Sequence, residues 1–396
     1  MNSNVRRFLN SSISLYVIQF VNLVAPLLIL PYLTRILSVD DFGQVSIFIS
    51  LCGLAFVLND FGFGLSATYR ISKNINNIRY INELIGAIYL AKIFLIVISI
   101  IIFTAYYIYN SDFITIPHVY LYAIGVFIFQ SMQPTWFFQG IEKMRNITIF
   151  HFLSKLTYVI LVLILVKNNN DVGFVFASYL LSHIVASLIS NYLLYKEGYK
   201  FVFVSKDKII KELKYSFDFF LSRASVSIYT TSSALILGTL SGQGQAAYYS
   251  AAEKLYQAMQ SFTGPVSQAL YPILAKKSDH KFLIKIIMSL LIPLVIVVMS
   301  VAFFSKDILS IIFGSDYING YQVLSVFCII VVINYISANF GYPAFSSLNR
   351  VNIVNKTVMI GSLVQIFLLI IIYKFGMLSA LTLVLSILIT ESIVMT

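Results

Sequence analysis

Charge is scarce in this chain. Only 11% of its 396 residues are Asp, Glu, Lys or Arg, against about 25% in a typical soluble protein. So few charges cannot cover a globule, which excludes a soluble enzyme, a nucleic-acid-binding domain and a disordered protein. There are two cysteines, Cys52 and Cys328. Both fall in apolar runs, where a free thiol behaves as a small hydrophobe, and neither a disulfide framework nor a metal site follows from their spacing. The four histidines, His118, His151, His183 and His280, are scattered without metal-ligand spacing. No G-x-x-x-x-G-K-[ST] loop is present to cradle ATP phosphates, and no Gly-x-Ser-x-Gly elbow presents a nucleophile. The sequence therefore predicts no metal, no cofactor, no catalytic residue and no nucleic-acid partner.

What fills the space is apolar. Hydrophobic residues make up 59% and mean hydropathy is +0.87, whereas soluble chains run at about 45–50% apolar. The composition predicts an all-α polytopic membrane protein. A spanning helix needs about 20 mostly apolar residues, and windows of that length give about twelve spans: 12–33, 43–66, 84–108, 117–139, 148–166, 173–195, 216–240, 247–272, 286–304, 321–347, 357–373 and 378–396. Arg6-Arg7 before the first run resembles a signal peptide. That run is too long, holds Pro26 and Pro31, and has no small-residue cleavage site, so it is read as the first span.

The net charge of +11 sits in short loops. One alternate set of loops holds nineteen basic residues: Arg6, Arg7, Arg70, Lys73, Arg79, Lys143, Arg145, Lys196, Lys200, Lys206, Lys208, Lys211, Lys214, Lys276, Lys277, Lys281, Lys285, Arg350 and Lys356. The other set holds only Arg35, Lys167, Lys306 and Lys374. The positive-inside rule places the first set, and both termini, in the cytoplasm. The longest connection, 196–215, divides the chain into six spans and six, so the reading is two lobes, 1–200 and 201–396. A weak echo of Leu33–Ser38 in Leu237–Ser241 suggests that the halves are parallel repeats.

Polar residues recur at helical spacing on four spans. These are Ser12, Tyr16, Gln19, Asn22 and Pro26 on the first, and Ser46, Ser50, Gly53, Asp60 and Gly64 on the second. The seventh carries Ser216, Arg223, Ser227, Thr230 and Gly238, and the eighth Ser250, Lys254, Gln257, Ser261 and Gln268. Lipid offers such groups no partners, so each stripe lines a helix contact or a wet cavity. A charge within the membrane is costly and needs a reason. Lys92, Arg223 and Lys254 each lie about 10–12 Å from a membrane surface at the helical rise. Three cations facing a cavity suit an anionic substrate, with phosphate the natural candidate. Asp60 and Glu253 are either their counter-charges or sites for a coupling proton or cation. Asp218, Lys155 and Glu391 are read as snorkelling to the interface.

Four stretches resemble a known family: SLYVIQFVNLVAPLLILPYLTRILSVDDFG at 14–43, DFGFGLSATYRISK at 60–73, QPTWFFQGIEKMR at 133–145, and 237–272 from LGTLSGQGQAAYYSAAEKL to QALYP. The chain is similar to O-antigen flippases of the polysaccharide transporter group, in the multidrug/oligosaccharidyl-lipid/polysaccharide exporter superfamily. Arg35, Gly43, Trp136 and Gly140 are the motif positions that carry the resemblance. It implies two six-helix bundles around a central cavity lined by helices one, two, seven and eight. It also implies alternating access that moves undecaprenyl-pyrophosphate-linked repeat units from the inner to the outer leaflet of the bacterial inner membrane, for lipopolysaccharide biosynthesis. Membrane lipids, an O-antigen polymerase and a chain-length regulator are the partners expected. The chain departs from the family at Ser38-Val39-Asp40, where a Gly-Pro turn is usual.

Two other readings compete. A drug or lipid-precursor exporter shares the layout, and the Trp136 stretch argues against it. An O-antigen polymerase shares the composition, but such an enzyme is expected to carry a large outer loop with catalytic charges. The outer loops drawn here are short.

Overall fold

The computed structural model describes residues 28–109, 118–276, 280–341, 344–345 and 351–395. Arg6, Arg7, Ser12, Tyr16, Gln19, Asn22, Pro26, Asp112, Pro117, Lys277, Pro343 and Arg350 lie outside them, as do the side chains of Pro265, Gln268, Pro272 and Lys276. The described residues are helical and contain no strand. In chain order the helices are α1 (28–36), α2 (Val39–Asp60), α3 (Phe63–Lys73), α4 (Ile78–Tyr109), α5 (Val119–Ser131), α6 (Thr135–Gly140), α7 (Met144–Leu165), α8 (Val172–Lys196), α9 (Lys206–Thr230), α10 (Ser233–Ser241), α11 (Gln243–Lys276), α12 (His280–Phe303), α13 (Ser305–Phe313), α14 (Tyr321–Phe340), α15 (Val351–Lys374) and α16 (Ala380–Met395).

Seven described helical segments are long and apolar enough to cross a membrane: Val39–Asp60, Ile78–Tyr109, Met144–Leu165, Asn169–Lys196, Leu283–Phe303, Ser315–Phe340 and Lys356–Lys374. Their outward faces are strongly apolar. Ile101, Ile108, Leu363 and Phe367 are all more than 55% exposed, a pattern that water penalises and lipid does not. The protein is therefore a multi-pass membrane protein.

Three of the expected spans are interrupted, each by identifiable local chemistry. The second ends where Phe61 (φ 45°) and Gly62 (φ 76°) enter the left-handed region, the conformation that commonly terminates a helix. The chain then resumes as α3. The fourth divides into α5 and α6 around Pro134, because proline pushes the residue before it out of the helical region. The seventh, expected at 216–240, is corrected to α9 and α10, separated at Thr231 and Ser232. In addition, α9 starts at Lys206, inside the stretch expected to be loop.

Three helix starts are served by side chains. Ser38 Oγ accepts the Asp41 amide at 3.1 Å and bonds the Asp41 carboxylate at 2.6 Å. This is a side-chain N-cap with two acids in the first turn of α2, formed at the Ser38-Val39-Asp40 departure. Asn77 Oδ1 accepts the Tyr80 amide at the start of α4, and Ser379 Oγ accepts the Thr382 amide ahead of α16.

The chain divides into two compact units. In the first, Phe48–Ala224, α7 lies along α8, α5 packs on α8 and α3 packs on α6. Its core joins Phe63, Ala67 and Ile71 of α3 to Ile85 and Ile88 of α4, and both to Trp136–Phe138 of α6. The second unit comprises Leu30–Ile47 and Ser225–Thr396. There α14 is the centre, with α11, α12 and α16 packed against it.

Glycine sets two close approaches in the second unit. A Cβ on Gly43 would lie 2.1 Å from the Gln243 carbonyl oxygen, whereas one on Gly238 would meet the Ile47 side-chain tip at 2.2 Å. A backbone cannot step aside as a side-chain tip can. Gly43→Ala is therefore expected to cost about 1–3 kcal/mol and to lower the melting midpoint in detergent. Gly238→Ala should cost less, because the Ile47 side-chain tip can shift. Equal midpoints for the two glycine variants would contradict the close approach at Gly43.

Candidate functional site

The first unit gathers charge at the break between α2 and α3. Asp60 ends α2, and its Oδ2 accepts the Gly64 amide of α3 at 3.3 Å, an anion placed at a helix N-terminus. Arg223 Nη1 of α9 donates to the same oxygen at 3.0 Å. The Asp60 side chain is 5% exposed and that of Arg223 is 40% exposed, so the pair is closed on the acid side and open on the guanidinium side. Gly64 makes this possible: a Cβ there would stand 3.0 Å from Arg223 Nη1.

Lys92 of α4 is linked to this region through Ser131, whose Oγ accepts from Asn59, the neighbour of Asp60. Lys92 is 2% exposed, and its Nζ donates to the Ser131 carbonyl at 2.7 Å. Ser131 is the last residue of α5, where carbonyls lack partners inside the helix. Lys92 thus caps the C-terminal end of α5, the end of the dipole that favours a cation. The same break is supported by Asn191 of α8, which donates to the Met132 carbonyl at 3.1 Å and accepts from Tyr89 Oη at 2.6 Å. Buried Asn59 completes the network. It donates to Ser131 Oγ at 2.9 Å and accepts from Ser99 Oγ at 2.7 Å.

A different arrangement occupies the second unit. A cavity of about 540 Å³ is lined by Glu253, Tyr256, Gln257 and Gln260 of α11, Asn334 of α14 and Glu391 of α16. Tyr256 stacks on Phe327 at a centroid distance of 4.7 Å, and its hydroxyl accepts from Gln260 at 2.5 Å and from Asn334 at 3.3 Å. Lys254, one residue from Glu253, donates to Gln257 Oε1 at 3.2 Å. Glu391 is 9% exposed. The interfacial reading of that residue is corrected: it closes into the cavity with Glu253. Its position on the twelfth apolar run gave no sign of this, because one acid near a chain end fits either placement.

The motif positions are packing and anchoring residues. Arg35 donates to the Ile311 carbonyl at 2.8 Å, and Gly43 admits Gln243. Trp136 is 2% exposed, and its carbonyl accepts from Thr68 Oγ1 at 3.0 Å. Gly140 brings α6 against Ile71, which a Cβ would approach to 2.6 Å. The structure thus joins Asp60, Arg223 and Lys92 in one cluster, and places Glu253 and Lys254 in the other unit.

Helices of spanning length, broken at charged clusters, define a polytopic membrane protein of the fold shared by MurJ and the MATE transporters. A structure titled "Lipid II flippase MurJ, inward closed conformation" aligns with a TM-score of 0.72 and 15% identity, covering 98% of this chain and 86% of that one. A eukaryotic MATE transporter, AtDTX14, aligns with a TM-score of 0.60 and 15% identity, covering 98% and 94%. The chain belongs to the polysaccharide biosynthesis protein family, whose pattern matches residues 8–278. Two relatives are each named "Putative O-antigen transporter". The one from Shigella dysenteriae is 31% identical over 68% of this chain and 67% of its own length. The one from Escherichia coli (strain K12) is 30% identical over 69% and 66%. The matched region thus spans about two thirds of these relatives.

The Lys92 contact yields a test. Lys92→Met keeps much of the volume and removes the ammonium from the Ser131 carbonyl. Loss of a charged hydrogen bond in a buried site costs about 1–3 kcal/mol, so the melting midpoint in detergent should fall. A midpoint equal to that of the wild type would show that Lys92 does not hold the α5 end.

Proposed function

We propose that this protein flips undecaprenyl-pyrophosphate-linked O-antigen repeat units from the inner to the outer leaflet of the bacterial inner membrane, for lipopolysaccharide biosynthesis. Family membership and the names of the relatives support a transporter of this class rather than an enzyme. The geometric observation that carries the reading is the Asp60–Arg223 pair, whose guanidinium is part-exposed while its carboxylate is enclosed. Guanidinium binds pyrophosphate oxygens in a two-pronged, charge-assisted geometry. In this mechanism Arg223 exchanges Asp60 for the pyrophosphate when substrate enters. Lys92 adds positive potential from behind, and Lys254 of the second compact unit also serves the anion.

The full arrangement is twelve spans in two six-helix lobes, 1–200 and 201–396, around a central cavity, with both termini cytoplasmic and alternating access by rocking of the lobes. An O-antigen polymerase and a chain-length regulator receive the flipped unit. Glu253 and Glu391 take up a coupling proton or cation, the use to which carboxylates enclosed within a membrane are commonly put. They are the acids of the second unit's cavity.

Deletion in the native host, followed by leaflet-resolved detection of the lipid-linked repeat, tests the function. Accumulation on the cytoplasmic side is expected. Unpolymerised units already outside would point to a polymerase instead. With the deletion complemented, Arg223→Ala should reduce surface O-antigen flux roughly tenfold or more, while Arg223→Lys, which keeps the charge but not the fork, recovers part of it. Full ladders from Arg223→Ala would remove the residue from the substrate site. In proteoliposomes with an imposed ion gradient, Glu253→Gln and Glu391→Gln should each abolish the gradient's stimulation of transport. Unchanged stimulation in both variants would exclude these acids from coupling.

A further inference from the structure

The early start of α9 creates a surface that the transport reading does not use. The inward side of the helix is fixed within the first unit. Glu212 pairs with Arg70, Ser216 bonds Ser66 at 2.6 Å, and Lys208 pairs with Glu83 at 2.6 Å. The outward side carries Lys206, Lys211 and Lys214 in the first turns, all exposed, and then exposed Phe217 and Leu221. Ile210, Lys214, Phe217 and Leu221 stand at i, i+4, i+7 and i+11, so they form one stripe. Exposed Asp207 and Asp218 stand on the Lys211 side of that stripe, each four residues from a lysine, Lys211 and Lys214 respectively. Lys73 at the end of α3 lies over the Tyr69 ring at 4.4 Å, and the Tyr215 ring supports Arg70 at 4.5 Å.

The order along this face is basic, then aromatic, then apolar. Lys214 and Leu221 are separated by about 10 Å along the axis, the depth over which a membrane changes from headgroup to hydrocarbon. Lys211 and Lys214 are at i and i+3, close enough for both ammonium groups to reach one phosphate. Tyr215 sits where amphipathic rings collect at an interface. A peptide or nucleic-acid partner would match the lysines but not the apolar continuation below them.

We propose that the outward face of α9 docks an anionic phospholipid, its headgroup phosphate held by Lys211 and Lys214 with Lys206 nearby, and its acyl chains along Phe217 and Leu221. The site depends on the chain being embedded in a bilayer, not on what it transports. It makes α9 sensitive to the anionic lipid content of the leaflet that receives the basic loops.

The full-length protein in phosphatidylcholine vesicles, doped with spin-labelled phosphatidylglycerol or spin-labelled phosphatidylcholine, reads the preference directly. The wild type should favour phosphatidylglycerol by about fivefold or more at low salt, and high salt should reduce the ratio. The triple variant Lys206→Gln, Lys211→Gln, Lys214→Gln should bring it towards parity. The corresponding triple Lys→Arg variant should retain it, which separates loss of charge from misfolding. Lys374→Gln, far along the chain on α15, should leave it unchanged. Parity in the wild type would overturn the proposal, as would a preference that survives the Lys→Gln substitutions.

Discussion

Hydrocarbon offers no hydrogen bonds to a backbone, so every peptide group freed by a helix break inside the membrane must find a partner within the protein. This chain breaks its helices at 61–62, at 132–134 and at 231–232, and its polar architecture is organised around those places. At the first, the Asp60 carboxylate serves the start of α3 through the Gly64 amide. At the second, the carbonyls of Ser131 and Met132 are covered by Lys92 and Asn191. At the third, the Thr231 amide reaches back to the Ser227 carbonyl at 3.0 Å, within a run of hydroxyl residues. Polar side chains in the spans are therefore bound first to the needs of the backbone, and only what exceeds those needs is free for a ligand.

That ordering separates the charges. Lys92 is committed to the end of α5 and is enclosed there, so its contact with a ligand would require the break itself to rearrange. Arg223 has a counter-ion on one side and exposure on the other. A part-exposed group that holds its charge stably against a counter-ion can exchange one anion for another without passing through an unpaired state. The cost of an unpaired charge in a membrane makes such exchange favourable over simple exposure.

The sequence made some of this visible. Pro134 marks the α5–α6 break through a steric rule that acts locally. The four stretches from 14–43 to 237–272 carried the family resemblance, and family membership holds. The left-handed Phe61-Gly62 ending of α2 has a local signal in Asn59-Asp60 followed by Gly62 and Gly64, which averaging hydropathy over a span-length window hides. The start of α9 was not legible, since KDKIIKELK has the composition of a loop by charge and of a helix only by the periodicity of Ile209, Glu212, Leu213 and Ser216 on its buried side. Glu391 and Glu253 lie far apart in the chain, and only the packing of α11 and α16 around α14 brings them to one cavity. Pairings across long separation depend on tertiary packing that local periodicity does not encode.

The motif residues fit the same physics from the other direction. Gly43 and Gly140 remove side-chain atoms so that segments can approach within van der Waals distance. Trp136 fills a core between α3, α4 and α6, and Arg35 covers a carbonyl at Ile311. None of these side chains needs to touch a substrate to be indispensable. In a membrane, where lipid tails compete on equal terms with apolar side chains for the same surfaces, association between helices depends on close fit and on hydrogen bonds rather than on hydrophobic burial. Residues that permit close fit then identify the scaffold. Charged groups such as Arg223, which that scaffold leaves part-exposed, are not among the residues that set the fit.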